Sequence, residues 1–281
     1  MRRGIYCLAN DRVLEFTDAF FESLRAVGSD LPLTVIPFDG RCERLRTLAS
    51  GLDCTFLEED ELARFDRLGE TFCPDPSCFR TFRKLAVFEG AFDEFVYFDT
   101  DVVVLVDPSE LLMAFSESSA DLVYTDRDPA EVYPPGWLRT SMIERYGSPC
   151  FNTGFFLSRR GVFTRADFNA IARLAPEPRS DLAYRNEQGF LNYCVDVSGI
   201  AATELSDVLP GLTRRQWAAR SGIAWDGRTA VMADPSEPDA GRRFPFVHWA
   251  GFDVSPTMPR RDIFDAFRRR AREADARAGR P

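Results

Sequence analysis

The chain has 281 residues, and 35 basic against 44 acidic side chains leave a formal charge of −9, which excludes a surface made for bulk nucleic acid or an anionic membrane. With 45% hydrophobic and 28% charged residues, the apolar area suffices for one large core, and general disorder is excluded. The seven cysteines are odd in number and contain no Cys-x-x-Cys pair, so reduced thiols are expected rather than a disulfide framework or a zinc knuckle.

Along the chain, the apolar run 4–9 stops at Asn10, Asp11 and Arg12, far short of signal-peptide length, and a cytoplasmic protein is expected. The run reads as a strand, followed by a polar turn and a helix whose apolar positions Val13, Phe16, Phe20, Phe21 and Leu24 recur at helical spacing up to Gly28. Residues 33–38 form a buried strand closed by Asp39-Gly40, 43–50 a helix stopped by Gly51, and 54–57 a further strand. This βαβαβ opening predicts an α/β fold with a central, mostly parallel sheet, helices on both faces, and ligands beyond the carboxyl ends of the strands.

A polar helix near 59–68 and a turn at Pro74 and Pro76 precede a helix over 79–92, which leads into the buried strand Glu94-Phe95-Val96-Tyr97-Phe98-Asp99. Residues 95–106 are the most hydrophobic stretch, but Asp99 and Asp101 interrupt it, so no membrane-spanning segment is expected. Asp107-Pro108 opens another helix, with proline at its first position. Residues 121–124 are strand, and 127–150, with four prolines, is a long loop expected to be functional. Tyr133, Trp137 and Tyr146 give that loop aromatic surfaces that can stack on a sugar or another flat group. Residues 151–158 return to strand, 162–174 to helix, and Asn186-Glu187-Gln188 opens a further helix. The stretch 203–243 is weakly patterned. A short strand at 244–249 and an amphipathic helix near 260–277 close what reads as one domain over 1–281.

Two singletons narrow the chemistry. Lys84 is the only lysine beside 34 arginines, and His248 is the only histidine. A two-histidine metal site is impossible and any histidine-assisted nucleophile must use His248, so the chemistry rests mainly on carboxylates. Two carboxylates flanking one residue at a strand end repel unless a cation or partners hold them. Asp99 and Asp101 thus suit a divalent cation with hard oxygen ligands, Mn²⁺ or Mg²⁺, bridging to a diphosphate; the alternative is a plain turn at a strand end.

Four motifs in order decide between these readings: Ala9-Asn10-Asp11 after the first strand; Lys84-Leu85 ahead of Tyr97-Phe98-Asp99-Thr100-Asp101; Phe151-Asn152-Thr153-Gly154; and Glu187-Gln188-Gly189-Phe190-Leu191-Asn192 before His248-Trp249-Ala250-Gly251. Together they resemble the retaining glycosyltransferases of the glycogenin-like family, family 8, which have the GT-A nucleotide-sugar fold. The resemblance implies a UDP-sugar donor and an acceptor that is a small molecule, glycan or peptide. It also implies Asp99 and Asp101 as metal and diphosphate ligands and His248 as the third protein ligand of the metal, with Lys84 facing the donor. Leu8, Ala9, Asn10 and Asp11 would hold uracil and ribose, and Asn152, Glu187 and Gln188 would stand near the donor sugar and the reacting centre. The family's closing lysine is absent here: Phe252-Asp253-Val254-Ser255-Pro256 stands in its place, so either Arg260 or Arg261 substitutes or donor binding is weaker. A non-catalytic nucleotide-sugar binder of the same fold is the alternative. Haloacid-dehalogenase-type phosphatases also place Asp-x-Asp after an apolar strand, but they need a lysine downstream, whereas Lys84 lies upstream. The eight arginines in 260–281 allow peripheral membrane contact through the last helix, although interspersed acids dilute their field.

Overall fold

The computed structural model describes residues 1–219 and 222–278, with side chains to residue 271. The opening alternates as predicted: β1 (Arg3–Ala9), α1 (Leu14–Ala26), β2 (Leu33–Pro37), α2 (Glu43–Ala49), β3 (Cys54–Phe56) and α3 (Glu59–Glu70). A short α4 (Pro76–Phe79) then runs into a 3-10 helix over Arg80–Glu89, where the pattern had suggested one helix to residue 92. There follow β4 (Glu94–Asp99), β5 (Val102–Val104), α5 (Pro108–Glu117), β6 (Leu122–Arg127), α6 (Pro129–Val132), α7 (Trp137–Tyr146), β7 (Phe151–Arg159) and α8 (Arg165–Leu174). The chain ends in α9 (Gln188–Ser198), β8 (Ala202–Glu204), α10 (Leu205–Val208), β9 (Ile223–Trp225), β10 (Ala230–Met232), β11 (Phe246–His248) and α11 (Arg261–Ala278).

The central sheet has seven strands in the order β3-β2-β1-β4-β7-β6-β8. Every neighbouring pair is parallel except those of β7, which runs against both β4 and β6. This single reversal sets the position of the site. The carboxyl ends of β1, β4 and β6 share one edge with the amino end of β7, so residues 152–154 stand beside Asp99. Strand residues alternate between two cores: Tyr6, Phe95, Tyr97 and Phe156 enter one apolar cluster, and Ile5, Cys7, Val96, Phe98 and Phe155 enter the other. Burial on both faces is what turns these strands into unbroken hydrophobic runs in the sequence.

A third cluster joins Phe16 of α1, Val103, Val247 and Trp249 to Ile263, Phe264 and Phe267 of α11, and so fixes β11 against β5. The predicted closing helix is therefore present. Within the described side chains, Arg261 pairs with Asp265, Arg268 with Glu15 and Asp18, and Arg270 lies over the Phe267 ring. The arginines from Arg272 on lie outside the described side chains. Among the described residues, no helix is long and apolar enough to cross a membrane. All seven cysteines are free.

Segment 127–150, expected as a loop, holds α6 and α7. Pro129 marks a helix start, in the first turn of α6, where Asp128 accepts a hydrogen bond from Ala130 N. In α7, Leu138 and Met142 are buried while Trp137 and Ile143 are exposed, which scatters the apolar residues around the helix and erases the periodic signal. Tyr133 is fully buried and, contrary to the sequence expectation, presents no exposed face for stacking. Trp137 and Tyr146 do remain exposed.

Candidate active site

β4 ends at Asp99, and Thr100-Asp101 turns the chain into β5. Because β11 pairs antiparallel with β5, His248 lies opposite Val102, and Trp249 N donates to the carbonyl of Asp101 at 2.9 Å. Three residues far apart in sequence therefore converge: one ligand atom from each of Asp99, Asp101 and His248 lies within 4.8 Å of the others. His248 Nε2 is 3.0 Å from Asp101 Oδ1, without hydrogen-bond alignment, and neither ring nitrogen of this buried histidine has a hydrogen-bond partner. Burial presses His248 toward the neutral form, but the Asp101 and Asp99 carboxylates outweigh it and hold its pKa above the ordinary value. Burial likewise opposes ionisation of Asp101, and the facing His248 wins, keeping that carboxyl below its usual range.

Gly154 makes room for this cluster. A Cβ there would lie 2.3 Å from His248 Cε1, 2.9 Å from Asn152 Oδ1 and 3.0 Å from Asp99 Oδ2. Two carboxylates, an imidazole whose nitrogens have no hydrogen-bond partner and a glycine-cleared space fit a divalent cation that takes hard oxygen ligands and tolerates one nitrogen.

Lys84 stands behind the cluster rather than facing the cleft. It is 2% exposed, and its ammonium lies 2.6 Å from Glu187 Oε1, 3.2 Å from Asp99 Oδ1 and 3.1 Å from the carbonyl of Thr153. Its desolvation lowers its pKa, yet the Asp99 and Glu187 charges leave it raised. Glu187 is fully buried, pairs with Lys84 and accepts from Thr153 Oγ1 at 2.8 Å. Glu187 thus sits in a buried charged network with Lys84 and Thr153 and lines neither chamber of the cleft. Asp99 also accepts from Tyr97 OH at 2.5 Å.

Gln188 and Asn152 do line the cleft. Gln188 Oε1 accepts from Thr153 N and its Nε2 donates to the carbonyl of Glu131, while Asn152 Oδ1 accepts from Gly154 N. Asn192 bridges α9 to β7 through both backbone groups of Phe151, which aligns the start of α9 with the start of β7.

Two chambers flank the cluster and meet at Phe252. The first, of about 530 Å³, is lined by Leu8, Ala9, Asn10, Arg12, Phe38, Asp99, Thr100 and Asp101 among others. Asp11 is not part of its wall; its carboxylate accepts from Leu45 N and Arg44 N in the first turn of α2. Arg260 and Arg261 do not supply the missing cation there either, being paired with Asp262 and Asp265. Arg12 is the cation of this chamber, a residue that sequence reasoning passed over although it directly follows Asn10-Asp11.

The second chamber, of about 560 Å³, is lined by Asp126, Glu131, Asn152, Arg185, Gln188, Gln216 and His248 among others. Asp126 sits at a bulge of β6 in the left-handed region, φ 57°, unusual for a residue with a side chain. Burial raises its pKa despite Arg215 nearby. Gln216 is 1% exposed, and neither its amide oxygen nor its nitrogen has a hydrogen-bond partner. No pattern marked either residue, since both depend on how 211–218 is laid against the edge of β11, with His248 N donating to the carbonyl of Gln216.

No protein-family model matches the chain, and no curated protein matches it in sequence. Solved structures do match in fold. The galactosyltransferase LgtC in complex with donor and acceptor sugar analogues is similar over 95% of each chain, with a TM-score of 0.64 and 15% identity. The bifunctional glycosyltransferase WbbM matches 97% of this chain and 51% of its own, with a TM-score of 0.57 and 14% identity. Mouse xyloside xylosyltransferase 1 matches 73% of this chain and 85% of its own, at 0.51 and 12%. The fold is that of GT-A glycosyltransferases, as the order of motifs implied.

Proposed function

We propose that residues 1–281 form one glycosyltransferase domain of the glycogenin-like family, moving a sugar from a UDP-linked donor to an acceptor with retention of configuration. The observation that carries this reading is the Asp99, Asp101 and His248 cluster at the junction of two chambers on this fold. Asp99, Asp101 and His248 would hold Mn²⁺ or Mg²⁺, and such a cation takes up the negative charge that develops on a departing diphosphate. Leu8, Ala9 and Asn10 would hold the uridine in the first chamber, with Arg12 beside the diphosphate. Asn152 and Gln188 would contact the donor sugar, and the second chamber would receive the acceptor. That LgtC is described with donor and acceptor sugar analogues supports assigning one chamber to each. Lys84 and Glu187 act through Asp99 and Thr153 as positioning residues.

The test is calorimetry and donor turnover across a panel of nucleotide sugars with Mn²⁺. A uridine diphosphate sugar should bind and be slowly hydrolysed, guanosine and cytidine donors should not, and chelation should remove both effects because two bare aspartates repel phosphates. Binding without any turnover would favour a non-catalytic nucleotide-sugar binder. Indifference to chelation would overturn the reading.

A further inference from the structure

Away from the cleft, α3 and α8 face each other across a groove of about 530 Å³ whose wall includes Arg64, Arg67, Arg165, Arg173 and Arg179 and no acidic residue. None of these residues lines either chamber of the active site. On α3 the wall residues Arg64, Arg67, Leu68 and Thr71 follow helical spacing, as do Arg165, Asn169, Ala172 and Arg173 on α8. Each helix thus turns an arginine-bearing stripe toward the other, over a floor formed by the buried Leu68 and Ala172.

Acidic partners reach two of these five arginines, Arg64 and Arg179, and leave the others. Asp66 pairs with the buried Arg83 at 2.6 Å, and Asp167 closes the capping box of α8 with Thr164. Glu89 pairs with Arg64 at 2.7 Å and Glu177 with Arg179 at 3.0 Å. Among the described residues, the guanidinium groups of Arg67 and Arg165 have no ion-pair partner, and Nε of Arg64 is buried without a hydrogen-bond partner. In a chain of net charge −9, three arginines of one groove without an acidic partner among the described residues, Arg67, Arg165 and Arg173, oppose the overall balance, and an anion among like charges favours their charged form.

We propose that this groove binds a compact anion carrying two or more phosphate groups. The guanidinium fork matches phosphate oxygens bidentately, and two facing rows of forks suit two linked phosphates better than one. A concave site of this volume accommodates a small molecule, and the acidic remainder of the surface disfavours a long polyanion.

The test is calorimetry of the full chain with inorganic pyrophosphate in the presence of EDTA, which silences any cation site in the cleft. Pyrophosphate should bind, orthophosphate about tenfold more weakly, and the Arg67→Ser/Arg165→Ser variant should lose about tenfold or more in affinity. Those two side chains hold no structural partner, so circular dichroism of the variant should be unchanged. The Asp99→Asn variant should bind pyrophosphate as the parent does, and hydrogen exchange in α3 and α8 of the parent should slow on binding. The proposal is overturned by absence of binding, by undiminished affinity in the arginine variant, by loss of binding in Asp99→Asn, or by binding to anionic-lipid vesicles without binding of pyrophosphate.

Discussion

Gly154→Ala tests the cation site through geometry alone, because the substitution removes no candidate ligand. Its Cβ would meet His248 Cε1 at 2.3 Å, whereas carbon atoms settle near 3.5–4.0 Å, so the imidazole must retreat by about an ångström. Metal-ligand distances tolerate only about 0.2 Å; a retreat of this size takes His248 out of reach of a cation held by Asp99 and Asp101. Overpacking a buried site of this kind costs about 1–3 kcal/mol. We expect Mn²⁺ affinity, followed by electron paramagnetic resonance, to fall about tenfold or more, with a lower thermal midpoint. His248→Ala should weaken binding similarly, and adding Gly154→Ala to it should cost less than it does in the parent, since the clashing ring is gone and only the contacts at 2.9 Å to Asn152 Oδ1 and 3.0 Å to Asp99 Oδ2 remain. Unchanged Mn²⁺ affinity in Gly154→Ala, or full additivity in the double variant, would refute the assignment of His248 as a ligand.

Repulsion between two carboxylates alone would predict that Asp99→Asn spares the fold, but Asp99 accepts from Tyr97 OH and faces the buried Lys84; the variant should lose Mn²⁺ binding and also about 1.5–3 kcal/mol of stability by denaturant titration. Gln216→Leu replaces an amide whose buried atoms have no partner with an apolar side chain of similar size, so the thermal midpoint should rise while the KM for acceptor increases and donor hydrolysis persists; a fall in the midpoint would show that the amide is already satisfied. Asp196, whose pKa burial pushes up to about 7, binds its proton more tightly folded than unfolded, so it contributes stability at low pH that is lost as pH rises through about 7. Asp196→Asn should flatten the dependence of the thermal midpoint between about pH 4 and pH 8, and an unaltered profile would exclude this carboxyl as its source.

By itself the sequence determined the layered α/β architecture, because burial of strands on both faces and periodic helices write themselves into local hydrophobic patterns. It also singled out Asp99, Asp101 and His248, since a paired carboxylate at a strand end and a lone histidine are visible without coordinates. Only the tertiary structure decided that the three converge, through the antiparallel pairing of β11 with β5. It also decided which neighbours reach the cleft. Lys84 and Glu187 satisfy each other's charge in the interior and so stay beneath it, Asp11 is taken by the backbone of α2, and Arg12 faces the chamber instead. Asp126 and Gln216 were illegible because both depend on the long-range laying of 211–218 beside β6 and β11, Asp126 also on a bulge, and neither leaves a periodic trace. The arginines of α3 and α8 are ordinary surface charges in sequence. Their facing across one groove is set by packing between helices about a hundred residues apart, which local spacing does not encode.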